Sequence, residues 1–174
     1  MFRFRGIVVP LVAMFALFVG CEKAAKEAVE GAVESRISRD GGKANVEIGD
    51  ESFSMRVDGQ DGDSRLDVGS GTKVPKEFPK DIPLYSNMTV VMSHSQARDQ
   101  MFVIQATSQD SVAKVSKFYE TELPRQGWKE ENATVVQDGK TRSLGYEKQG
   151  RVLQVTAMDS DDEGTSLSIT TRAE

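Results

Sequence analysis

One stretch of the chain limits its fold more than any other: "TSQDSVAKVSKFYETELPRQGW", Thr107 to Trp128. Val112, Val115, Tyr119 and Leu123 recur at spacings of three and four, which places them on one face of a helix with Phe118 at its flank. Thr107 or Ser108 is positioned to cap the start. Asp110 lies in the expected first turn, where a carboxylate meets the positive end of the helix dipole. Pro124 lacks the N–H that a helix interior needs, so the helix is expected to end there. Gly127 then supplies the left-handed conformation that turns the chain into Trp128. A helix with a single apolar face must bury it against something. The residues on either side supply that partner, because their periodicity changes to two.

Before the helix, "MTVVMSH" places Met88, Val90, Met92 and His94 on one side of a strand. "MFVIQAT", Met101 to Thr107, is more continuously apolar and is expected to be more deeply buried, with "SQARDQ" as the hairpin loop between the two. After the helix, strand-like pieces fall around Trp128, at Thr134 to Gln137, Ser143 to Lys148 and Val152 to Met158, with Ser166 to Thr170 closing. Asp138-Gly139 and Gln149-Gly150 are compact hairpin signals. The expected fold class is α+β, one main helix packed on an antiparallel sheet of about five to six strands, spanning residues 84–174.

Upstream, residues 43–68 alternate in short bursts (Val46 and Ile48; Phe53, Met55 and Val57; Leu66 and Val68) separated by Asp-Gly and Gly-Asp turns. This is a polar β-hairpin region with little apolar surface of its own, which either adds an edge to the following domain or stays loosely ordered. Residues 69–83 hold Pro75, Pro79 and Pro83 and read as a Pro/Gly linker. Residues 21–42 carry Ala25, Val29, Val33 and Ile37 four apart, a thin Ala/Glu-rich helical stripe that Gly41-Gly42 stops. Such a helix is marginal alone and reads as a spacer.

The first twenty residues differ from all of this. "MFRFR" is basic, and Gly6 to Val19 is an uncharged apolar run of 14 residues, too short to cross a membrane core that needs about 20. Gly20 and Cys21 follow. A basic start, a short apolar run and a small residue before a boundary have the layout of a secretory signal over residues 1–20. Phe18-Val19-Gly20-Cys21 resembles the lipobox of bacterial lipoproteins, with Leu17 one place further back than the usual leucine. The resemblance implies cleavage before Cys21, a diacylglycerol on its thiol, and anchoring of the mature chain to a membrane. Two or more acyl chains hold stably where one does not. With Glu22 after the Cys, it also implies the outer membrane facing the periplasm where one exists, otherwise the outer face of the cytoplasmic membrane.

"FPKDIPLY" followed by "FYETELPRQGW" and a strand meander also resembles a family of uncharacterised bacterial lipoproteins. Those pair a lipobox and an Ala/Glu-rich helix with a proline-marked stretch and an "FY-x-x-x-L-x-x-x-G-W" helix end. The resemblance implies a small α+β domain and no particular activity.

Loss of the signal would remove Arg3 and Arg5 and no acid, moving the formal charge from −5 to −7. That acidity disfavours a nucleic-acid partner. Cys21 is the only cysteine, so no intrachain disulfide is available and stability must come from a core. His94 is the only histidine, and no phosphate-cradling glycine loop or Gly-x-Ser-x-Gly motif occurs. No catalytic residue, cofactor or resident metal is expected. "DSDDEG", Asp159 to Gly164, imitates the start of a calcium loop, but Thr170 stands where the closing Glu belongs and a solvated turn is the plainer reading. Met92, His94 and Met101 offer thioether and imidazole ligands suited to Cu(I) if a hairpin sets Met101 opposite His94.

The expected protein is a non-enzymatic envelope lipoprotein anchored through Cys21, binding another envelope protein or peptidoglycan. The alternative is a carrier that holds a small or lipid-like ligand between helix and sheet.

Overall fold

A computed structural model describes residues 31, 32, 35, 43–59, 62–69, 71–136, 139–160 and 164–174. Cys21 and residues 1–20 lie outside them, as do most of residues 21–42, of which Gly31, Ala32 and Ser35 are helical. The first five strands form a continuous antiparallel meander: β1 (Lys43–Ile48), β2 (Ser52–Asp58), β3 (Ser64–Gly69), β4 (Thr89–Gln96) and β5 (Met101–Ser108). Helix α1 (Val112–Arg125) then leads to β6 (Lys129–Val136), β7 (Thr141–Lys148), β8 (Arg151–Ser160) and β9 (Gly164–Ala173). The spatial order is β1-β2-β3-β4-β5-β9-β8-β7-β6.

Helix α1 therefore carries the chain from β5 at the centre to β6 at the edge, and the last three strands return to fill the gap. The lengths agree. Fourteen helical residues span about 21 Å, and four inter-strand steps amount to about 19 Å.

This corrects the expected architecture. The sheet has nine strands in one piece, not five or six with a separate set of hairpin strands before them. The reason is main-chain pairing. β1 to β3 bury too little to stand alone, but β3 aligns Ser64 to Val68 against Gln96 to Met92 of β4 and so extends the central sheet. Their unpaired N–H and C=O groups are satisfied by that extension.

The face that carries α1 is called the front. Ile104 and Ala106 of β5, Leu167 and Ile169 of β9, Leu153, Val155 and Ala157 of β8, and Leu144 and Tyr146 of β7 are buried there beneath Val115, Tyr119 and Leu123. Side chains of this size contribute about 1.5–3 kcal/mol each on burial. Residues 71–88 cross the same face as a strap. Phe78, Ile82 and Tyr85 enter the core. The Phe78 ring meets Phe102 edge-on with centroids 5.7 Å apart, and Tyr85 meets Phe118 at 5.3 Å. The prolines shape this strap, while its aromatic and aliphatic residues pin it down.

The ends of α1 differ in detail from the sequence reading. The cap is Ser111, whose hydroxyl accepts the Lys114 N–H, and Asp110 lies just outside the helix. Pro124 sits inside the last turn. The helix closes when Gly127, at φ +83°, lets its own N–H reach Pro124 O and the Trp128 N–H reach Leu123 O.

Alternation along β4 is also interrupted. A bulge between Val90 and Met92 turns Val90 to the front, opposite Ala106, and leaves Met92 and His94 on the back.

Candidate functional site

Beneath α1 the space is filled, since Val115, Tyr119 and Leu123 are all fully buried against the sheet. Two clefts open instead beside the strap, on the front of the β1–β5 half. One, of about 930 Å³, lies between β1–β3 and residues 71–77. The other, of about 460 Å³, continues past Pro79 to the β4–β5 turn, Phe102 and Arg151. Arg56, Arg65 and Glu77 line both clefts, so the two are joined at these residues into one trough.

The trough is polar because the sheet reverses its apolar side at β3. Register places Glu47, Ser54, Arg56, Arg65 and Asp67 on the front of β1–β3, continuous with Ser93 and Ser95 of β4. Their neighbours Val46, Ile48, Phe53, Met55, Leu66 and Val68 therefore point to the back.

Asp67 is the best-held group on the trough floor. Arg65 donates from Nε to Oδ2 at 2.7 Å and from Nη2 to Oδ1 at 3.1 Å, and the Ser54 hydroxyl donates to Oδ1 at 2.7 Å. The Arg65 hydrogen bonds, and secondarily Ser54, hold the Asp67 carboxyl below its ordinary range against the opposing effect of burial. The same bonds raise Arg65. Half of the Arg65 side chain stays exposed, which leaves guanidinium surface facing the trough. Arg56 is looser, 3.7 Å from Asp58 with both side chains more than half exposed. Lys73, Lys76 and Glu77 line the trough from the strap side and Glu47 from β1. The lining of the larger cleft thus combines four cations with three carboxylates, one of them neutralised by Arg65, in a chain whose net charge is −5.

At the far end Arg151 is committed elsewhere. It donates from Nη1 to Asp81 Oδ1 at 3.1 Å and from Nη2 to Oδ2 at 2.5 Å, while Lys148 donates to Oδ2 at 2.7 Å. These bonds, Arg151 first, hold the Asp81 carboxyl down to about 2. Asp110 is held at about 2 by Lys114, Tyr85 and Asn87, which tie the strap to the start of α1. Burial pushes the Tyr146 hydroxyl up to about 12. The Asp81 and Asp110 clusters hold elements together.

The residues singled out in the sequence are dispersed. Cys21 lies outside the described residues. Met92, His94 and Met101 share the back face, but His94 stands opposite Val103 and Met101 opposite Gln96, so Met101 is diagonal to the histidine and not across from it. His94 Nε2 lies 3.2 Å from the Ser64 hydroxyl. Among the described residues no group of three His, Cys, Asp or Glu side chains is arranged to hold a metal. Asp159 and Ser160 end β8, and Gly164 opens β9 directly opposite Ser160; residues 161–163 between them lie outside the described residues. Arg56, Arg65 and Asp67 escaped sequence reasoning. The only signal was charge at alternate positions of strands whose apolar residues alternate with them.

A family model described as START domain-like matches residues 88–165, which run from the start of β4 through α1 to the start of β9. No curated protein matches the chain, and no solved structure does. Among the described residues no helix is long and apolar enough to cross a membrane.

Proposed function

We propose that this chain is a non-catalytic ligand-binding module of a lipid-anchored envelope protein, and that its ligand is a small polar molecule bearing an anionic group. The observation that carries the reading is the place of Arg56 and Arg65, which line both clefts at their junction. Guanidinium groups recognise carboxylates and phosphates in a fork geometry, and Arg65 is already oriented by its carboxylate partner. The START domain-like match supports ligand binding in general terms, and its span includes Ser95 to Phe102 and Arg151 of the second cleft.

The site differs from the carrier site expected between helix and sheet. Val115, Tyr119 and Leu123 occupy that space, and a lipid tail would find polar walls in the trough. Carboxylate-bearing fragments of peptidoglycan fit the chemistry, which keeps the cell wall as the ligand source. Membrane attachment is assigned to Cys21 on its lipobox-like context.

The test is an NMR titration of the chain with muramyl dipeptide and, separately, inorganic phosphate. Binding at the trough moves the Arg56 and Arg65 Nε–H signals and the backbone amide signals of Ser54 and Asp67, and the double variant Arg56→Ala/Arg65→Ala abolishes the amide shifts. If neither probe moves those signals, the anionic-ligand reading fails. The intact mass of protein extracted from its membranes tests the anchor separately: Cys21 to Glu174 plus acyl chains is expected, and a mass retaining Met1 would refute it.

A further inference from the structure

The back of β1–β3 is apolar, and its β1–β2 part is largely covered, while Val68 near the end of β3 stays 36 % exposed. Along β1 the front residues Lys43, Asn45 and Glu47 are exposed, while the back residues Ala44, Val46 and Ile48 are not, and Val46 keeps only 4 % of its surface. β2 repeats the pattern: Ser52, Arg56 and Asp58 are exposed, whereas Phe53, Met55 and Val57 are half-buried. β1 is an edge strand, and among the described residues α1 and the strap both lie on the front. Something else shields this face.

We infer that the cover is this chain's own segment Ala25–Ile37, docking its Ala25/Val29/Val33/Ile37 stripe across the back of β1–β4. Four observations commit the surface to that occupant. Gly31, Ala32 and Ser35 are helical, and the Ser35 hydroxyl donates to Gly31 O at 2.6 Å, one turn back. At about 100° per residue, Gly31 and Ser35 lie opposite Val33 on such a helix, and both are exposed, as is Ala32 at the side. From Ala25 to Ile37 a helix rises about 18 Å, enough to cross the roughly 14 Å from β1 to β4. Ile37 is followed by only five residues before β1 begins at Lys43, so the stripe stays within about 17 Å of the edge of this face.

The apolar row it meets runs Val46, Met55, Leu66 in register, ending at His94. Further across, the back becomes polar, with Gln105 donating to Ser168 at 2.8 Å and Gln154 to Ser143 at 2.6 Å. The apolar surface, with Val103 of β5 opposite His94, thus extends about 19 Å from β1, close to the length of this helix. With the stripe docked, only Glu22 to Ala24 separate Cys21 from the folded body. With Cys21 lipidated as proposed above, the back of β1–β3 is then held toward the anchoring membrane, and the trough on the front faces away from it.

Two measurements test this on the full chain in detergent micelles. A nitroxide attached at Ser35→Cys in a Cys21→Ser background is expected to broaden the amide signals of Val46, Met55 and Leu66 and to spare β7 and β8. Separately, Val33→Asp is expected to speed amide exchange at Val46 and Met55 roughly tenfold, while Ser35→Asp leaves both unchanged. Val33→Asp behaving like Ser35→Asp overturns the inference. So does a label that leaves the Val46, Met55 and Leu66 signals sharp, and so does broadening that vanishes on dilution, which would make a second copy the cover. If Val33→Asp does not fold, the label decides, since Ser35 is exposed.

Discussion

Trp128 donates its indole N–H to the main-chain carbonyl of Asp81 at 2.9 Å, across 47 residues of sequence. The contact joins two punctuation marks, the proline-marked strap and the glycine-closed end of α1. Around it the Asp81 carboxylate accepts from Arg151 and Lys148, and both cations lie over the Trp128 ring, 5.0 Å and 5.9 Å from its centre. Lys148 also donates to Gln126 O at 2.7 Å, the carbonyl at the helix end. A single cluster therefore fastens the strap, α1, β7 and β8 to one another.

Asp81→Asn should destabilise the protein at neutral pH, with an effect that depends on pH in a defined direction. The folded carboxyl sits at about 2 against 3.8 for a free side chain, and the three side chains are only 18–26 % exposed. A depressed folded pKa gives stability that is present above the free value and is lost as pH falls through about 2. The difference corresponds to about 2 kcal/mol. Urea unfolding should show the variant weaker by about that amount at pH 7, with the gap closing between pH 4 and pH 2. A gap independent of pH would mean that ionisation of Asp81 is irrelevant to the tie.

Trp128→Phe separates the ring from its N–H. The substitution keeps an aromatic face under Arg151 and leaves the Asp81 carbonyl without its donor. The expected cost is about 1 kcal/mol, against about 3–5 kcal/mol for Trp128→Ala at this buried site. Trp128 is the only tryptophan, so circular dichroism is the suitable probe for the unfolding curves. Equal losses for the two variants would assign the whole effect to the ring.

These two residues also show what was legible in the sequence. The helix, its inward stripe and the left-handed Gly127 follow from local rules, since spacing and backbone sterics act within a few residues. That Asp81 and Trp128 meet depends on where α1 delivers the chain, which no local pattern encodes. The nine-stranded sheet was missed for a similar reason. β1 to β3 carry only two or three apolar residues each, and their joining to β4 rests on main-chain pairing of Ser64–Val68 with Met92–Gln96, which leaves no apolar period to read. The trough was hidden because Arg65 and Asp67 look like the solvated side of a hairpin until β4 and the strap turn that side into a floor.

Ser116→Ala should leave stability unchanged or raise it. Ser116 lies on the buried side of α1 with 1 % of its surface exposed, and its hydroxyl has no hydrogen-bond partner among the described residues. Alanine removes a desolvated polar atom and improves helix propensity, each an effect of up to about 1 kcal/mol. A thermal midpoint higher than that of the parent chain is expected. A clear fall would reveal a partner for the hydroxyl, a buried water being the first to seek.

Arg65→Ala should change a carboxylate as well as a binding surface. In the parent chain the Arg65 hydrogen bonds are the largest influence on Asp67, burial opposes them, and the Ser54 hydroxyl is weaker than burial. Without Arg65 the largest lowering influence is gone, and the Asp67 carboxyl is expected to rise toward its ordinary value. A carbon-detected NMR titration of Asp67 reads this directly. Arg65→Lys keeps a charge without the two-pronged contact and should fall between the two. If Asp67 stays depressed in Arg65→Ala, Arg56 has swung across to replace the lost partner. That would show the trough floor to be adaptable, and the double variant would then be needed to empty it of positive charge.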